Sequence, residues 1–138
     1  MKSPWANRRA PSLEEFDAIA REAYESLPPE FRSQCGDIVI HVAEFAEDEI
    51  LDEMGFDDPF ELTGLFEGID LASRSFDDIP SGPSHVHLYR RPMLDEWIDN
   101  GEVTLRELVR HVLVHEIGHH FGLSDDDMDR IESAADRK

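Results

Sequence analysis

His115, Glu116 and His119 stand in the order H-E-x-x-H within HVLVHEIGHH, residues 111–120. Histidines four residues apart share one helical face, where two imidazole nitrogens can meet one metal ion at bond lengths of about 2.0–2.1 Å. Glu116 follows the first histidine and projects about 100° round the helix. Its carboxylate therefore stands beside the ion without ligating it, placed to take a proton from a metal-activated water. Gly122 comes three residues after His119 and Asp125 three after that, so the string reads H-E-x-x-H-x-x-G-x-x-D. A glycine there can take positive φ, end the helix and turn the chain back toward the ion. Asp125 is the expected third ligand, with Asp126, Asp127 and Asp129 as close competitors. Asp125 has a second possible use, as the N-cap of the segment DDMDRIES, a task open to Ser124 as well.

These residues need a helix to hold them. Thr104 and Glu107 form a capping box, and a helix is expected from there to about Phe121. Apolar residues surround most of it: Leu108, Val112 and Leu105 on the histidine side, and Val109, Leu113, Ile117 and Phe121 elsewhere. A helix so lined should be buried in the core, and buried histidines need partners. His111, one turn before His115, is expected to be a buried, hydrogen-bonded histidine rather than a fourth ligand. His120 points away from the metal face.

The remaining chain supplies the scaffold. Ser12 opens a helix through a capping box with Glu15, with Leu13, Phe16, Ile19, Ala20 and Tyr24 at helical spacing, and Pro28-Pro29 stops it. DIVIHVAEF, residues 37–45, reads as a central strand covered on both faces. AEDEILDEM is a short acidic helix ended by Gly55. FDDPFELTG is a loop, LFEGIDLA a weaker edge strand, SFDDIPSGPS a second loop and HVHLYR another strand. Pro92 opens a helix through about Asn100, closed by Gly101. No repeat or linker divides the chain. Helices mix with about three strands without βαβ alternation, which is the α+β class. A basic arm, residues 1–11, is expected to be flexible, with a single domain over 12–138.

Composition narrows the partners. Thirteen basic against 32 acidic residues leave a net charge of −19, which repels phosphate backbones and anionic lipid and favours metal cations. Neither nucleic acid nor a membrane is an expected partner. Cys35 is the only cysteine, so no intramolecular disulfide is possible; a buried, inert thiol is expected. The first twelve residues lack the apolar stretch of a signal peptide, and no run approaches a membrane span, so a cytoplasmic location is expected. A monomer is expected.

HEIGHHFGLSDDDMDRIE, together with GLFEGIDLASRS and HVHLYRRPML, resembles the small bacterial zincin-like metallopeptidases over roughly residues 12–133. The resemblance implies a zincin-like α+β fold, a small mixed sheet packed against a buried active-site helix with further helices. It implies one Zn2+ per chain, held by His115, His119 and Asp125, with Glu116 as general base for hydrolysis of a peptide or protein substrate. Larger relatives carry histidine at the position of Asp125 and a methionine turn well downstream. Met128, the only methionine after the zinc string, either lies beneath the metal or packs the last helix. Peptide deformylase needs a cysteine ligand in a loop that SQCGD does not match. A metal-dependent ribonuclease needs aspartate where Ser124 stands. The rival from another class is a binding or regulatory module with a structural zinc, closed by a fourth ligand from His111 or a second aspartate.

Overall fold

The computed structural model describes residues 3–67 and 83–136. Among these residues three strands form one mixed sheet: β1 (Ile38–Ala43), β2 (Gly64–Glu67) and β3 (Ser84–Tyr89), in the order β1-β3-β2. β1 runs parallel to β3, with Ile40 opposite Val86 and His41 opposite His87. β2 runs antiparallel, with Phe66 opposite Val86. Side chains alternate across a strand, so Ile40, Phe66, Val86 and Leu88 line one face and enter the core. His41, His85, His87 and Glu67 line the other.

Among the described residues β1 is therefore an edge strand, and β3 takes the centre. The β-branched run of β1 suggests two covered faces, yet Val39 is 38% exposed and only Ile40 is buried in the strand. The main core covers one face; on the other, Tyr89 packs into a smaller cluster with Ala46, Leu51 and Leu62, with Ala43 and Leu65 against it, and Val39 and His41 stay exposed. Among the described residues β2 lies at the opposite edge. The rest of LFEGIDLA, residues 68–72, and most of the following loop, residues 75–82, lie outside the described residues.

The helices are α1 (Leu13–Glu25), α2 (Pro29–Cys35), α3 (Asp48–Met54), α4 (Arg90–Asn100), α5 (Leu105–His120) and α6 (Asp125–Ala135). Ser12 and Glu15 cap α1 reciprocally, and α1 buries Phe16, Ala20 and Ala23 against α5 and β1. The double proline ends α1 but also starts α2, which was not anticipated; proline at the first helical position loses no hydrogen bond. Cys35 closes α2 with its thiol donating to the Phe31 carbonyl at 3.1 Å. Burial pushes that thiol up to about 11, the inert state expected of it. Gly55 at φ 78° and Gly101 at φ 72° terminate α3 and α4 in the left-handed region. α4 begins directly out of β3, two residues ahead of Pro92. Within the N-terminal arm, Pro4–Asn7 form a 3-10 turn capped by Ser3, and the Pro11 carbonyl accepts from Arg90 Nε at 2.6 Å.

Glu44, just past β1, accepts from Arg90 Nη1 at 3.0 Å and Arg91 Nε at 2.9 Å, tying the sheet edge to α4. The Arg91 hydrogen bond holds the Glu44 carboxyl below its usual value of 4.5. A depressed folded pKa stabilises above the unfolded value, and the contribution fades as pH falls through the folded one. Glu44→Gln should therefore lower stability at neutral pH, by a modest amount because the pair is partly solvated. The gap to the parent protein should close under acid, which urea melts across that range will check.

Candidate metal centre

α5 carries the H-E-x-x-H string, and the turn after it decides what meets the histidines. Gly122 takes φ 69°, and Leu123 N donates back to the Gly118 carbonyl at 2.9 Å, closing α5 and reversing the chain. Ser124 then caps α6, in a box with Asp127. Ser124 having taken the cap, Asp125 is the first residue of α6 and its carboxylate is not used there. α6 lies against α5 through Met128, which is fully buried. A Cβ on Gly118 would lie 2.6 Å from Met128 Sδ and 2.9 Å from its Cγ. Only glycine lets the two helices come this close, at the turn between His115 and His119. Met128 thus packs the last helix into the core.

The expectation of a helix buried all round is met on one side only. Leu105, Leu108, Val109, Val112, Leu113, Val114 and Ile117 are buried, whereas His111 and His119 are exposed. His111 is not the deep core histidine expected: its side chain is 51% exposed. It is hydrogen-bonded nonetheless, with Nδ1 at 3.0 Å from Glu132 Oε1. The core's apolar stripe turns toward α1 and the sheet, which leaves the histidine stripe at the rim where α6 crosses.

Three predicted ligands come together there. His115, His119 and Asp125 each offer a ligand atom within 4.8 Å of the other two. His115 Nε2 is buried and has no hydrogen-bond partner among the described residues. Burial, followed by the neighbouring His111, lowers the pKa of His115 and so favours the neutral imidazole, the form that binds metal. A buried nitrogen left unpaired is unfavourable unless something ligates it. The donor set of two imidazoles and a carboxylate suits zinc. The residues present fit a metal ion.

Glu116 stands on the same helix turned toward the sheet, its pKa raised by burial and lowered somewhat by His119. β2 approaches it closely. A Cβ on Gly64 would meet Val112 Cγ1 at 2.9 Å, the His87 carbonyl at 3.3 Å and Glu116 Cγ at 3.4 Å. Gly64 is what allows an edge strand to lie against the helix beside Glu116. Gly64→Val should lift β2 off α5, with a stability loss of about 1–3 kcal/mol. Any peptide hydrolysis should fall further than that loss of stability explains, as assays on the folded fraction will show. His120 turns away from the ligand group, its ring centroid 4.2 Å from that of Phe66 on β2.

A model of zincin-like metallopeptidases matches residues 35–135. The chain belongs to the zincin-like metallopeptidase family. No curated protein sequence matches it. The family match opens at the end of α2, so α1, the helix that seats α5, lies outside it. The six helices and three-stranded mixed sheet of the described residues are the α+β architecture of a zincin, and the family implies a metal, typically zinc. No helix of this zincin among the described residues is long and apolar enough to cross a membrane.

Two features of the zincin were not read from the sequence. Glu132 comes within 4.8 Å of His111 and His115 through one ligand atom each. It lies seven residues after Asp125, two turns along one helical face, and that spacing was a usable signal. The other is the cluster of His41, His85 and His87, whose His41 Nε2 to His85 Nδ1 distance is 2.8 Å. Only strand register brings those rings together.

Proposed function

We propose that this zincin is a peptide hydrolase that uses one zinc ion per chain, held by His115, His119 and Asp125, with Glu116 as general base. The observation that carries the reading is the buried, unpartnered Nε2 of His115, a residue that shares with His119 and Asp125 a group of ligand atoms within 4.8 Å of one another. Zinc, when bound, supplies Lewis-acid polarisation of the scissile carbonyl and lowers the pKa of water toward 7.

The chain's own residues do the rest. Glu116, its proton affinity raised by burial, accepts the proton of the attacking water and passes it to the departing amine. β2 lies beside Glu116, and its side away from β3 pairs with no strand among the described residues, which suits addition of an extended substrate as a further strand. The substrate is a peptide or protein, and the net charge of −19 favours cationic segments and disfavours nucleic acid and anionic membranes. A monomer in the cytoplasm suffices for this chemistry.

Metal analysis should find one zinc per chain, and a folded protein that cannot be loaded with zinc ends the proposal. Asp125→Ala should weaken zinc binding by at least about tenfold, the size of effect that even outer-sphere changes produce. An unchanged affinity hands the role to Asp126, Asp127 or Asp129.

A further inference from the structure

α5 carries not two but three histidines at four-residue spacing, His111, His115 and His119, and therefore two overlapping chelating pairs. α6 supplies a carboxylate to each pair. Asp125 stands with His115 and His119, and Glu132 stands with His111 and His115, each group having its ligand atoms within 4.8 Å of one another. Glu132 Oε1 is 3.0 Å from His111 Nδ1, and Glu132 Oε2 is 3.8 Å from His115 Nε2. The rings of His111 and His115 have centroids 4.0 Å apart. Donor atoms around tetrahedral zinc sit about 3.4 Å from one another, given bonds near 2.0–2.1 Å. Small side-chain rotations therefore bring this second set onto an ion.

We propose that His111, His115 and Glu132 form a second zinc position, overlapping the catalytic one and exclusive of it because both need His115. The inference rests on zinc binding by His115, as in the function proposed above. A neutral imidazole has one free nitrogen lone pair and binds one metal, so an ion in the upper set, His111, His115 and Glu132, leaves His119 and Asp125 of the lower set without their shared partner. The upper set also lacks a base in the right place. In the lower set the residue after the first histidine is Glu116; in the upper set it is Val112, buried and apolar. An ion held by His111, His115 and Glu132 is stored in an idle form one helical turn from where it acts.

The test is zinc occupancy and affinity of the full chain, by competition with a chromophoric chelator, alongside the visible spectrum of the cobalt-loaded protein. His111 and His119 are both exposed, so their replacement removes no core packing. The parent protein should bind one zinc tightly. His119→Ala should keep one zinc with an altered cobalt spectrum and no hydrolytic activity. His111→Ala should keep one zinc with the parent spectrum. The double variant should lose affinity by at least about 100-fold relative to either single one, since only His115 remains among the three imidazoles. If His119→Ala loses zinc as fully as the double variant, the second position does not exist, while the proposed hydrolase stands. Two tight zinc ions in the parent protein would refute the exclusivity. No zinc in the parent protein overturns both readings together.

Discussion

Glu116→Gln is expected to leave zinc occupancy unchanged and to reduce peptide hydrolysis by about 10²–10⁴-fold, the usual worth of a positioned general base. Glutamine keeps the shape of glutamate but accepts no proton at neutral pH. Glu116 belongs to neither group of prospective ligands, so its neutralisation removes none of the donors. The zinc-free variant should also be no less stable than the parent at neutral pH. Burial raises the folded pKa of Glu116 above its ordinary 4.5, so the folded state holds the proton more tightly than the unfolded one. Stability from that group is present at low pH and lost as pH rises through 4.5 toward the raised value. At neutral pH the ionised carboxylate works against folding, and an amide relieves it. Zinc content by metal analysis, cleavage of a mixed peptide library and thermal melts of the zinc-free proteins test all three statements. Undiminished cleavage refutes the base assignment.

The second large effect concerns the contact that sets the distance between α5 and α6. Met128→Ala should destabilise the fold by about 2–5 kcal/mol, because Met128 is fully buried and its removal leaves a cavity beneath the turn that joins His115 to His119. Gly118→Val attacks the same contact from the other side. Its branched side chain meets Met128 Sδ and Cγ at less than van der Waals distance and should cost about 1–3 kcal/mol. The two changes share one space, so they should not add. The double variant should be more stable than the sum of the single losses predicts, since valine occupies part of the volume methionine vacates. Zinc affinity reports on the same spacing, because Asp125 and Glu132 ride on α6. Gly118→Val should weaken zinc binding even where the protein remains folded. Strict additivity in urea melts, with zinc affinity untouched, would show that the contact sets neither packing nor the carboxylate positions.

Local rules fix much of this chain's secondary structure. The capping boxes at Ser12 and Thr104 appear where their spacing places them, and Gly55, Gly101 and Gly122 end helices at positive φ. The α+β class and the zincin family were legible for the same reason: the H-E-x-x-H string, its glycine and its aspartate all lie within one helix and one turn. What failed was non-local. The β-branched run of β1 does not say how many layers will cover it, and only the sheet order β1-β3-β2 puts it at an edge. The burial of His111 was misjudged because helical angle alone does not reveal which sector the neighbouring helices occupy. Pro29 was read as a stop because a proline breaks the helix behind it, though it begins the one ahead.

By itself, then, the sequence determined which side chains hold the chemistry: two imidazoles and a carboxylate base in helical register, with a glycine to turn the chain and aspartates beyond it. Periodicity and capping are short-range properties, and a helix converts them directly into geometry. Tertiary structure alone decided what those side chains meet. Gly118 and Met128 set the approach of α6, Gly64 admits β2 beside Glu116, and the crossing of α6 over the histidine stripe delivers Glu132 as well as Asp125. Such meetings depend on which surfaces pack together across dozens of residues, and no local spacing encodes that.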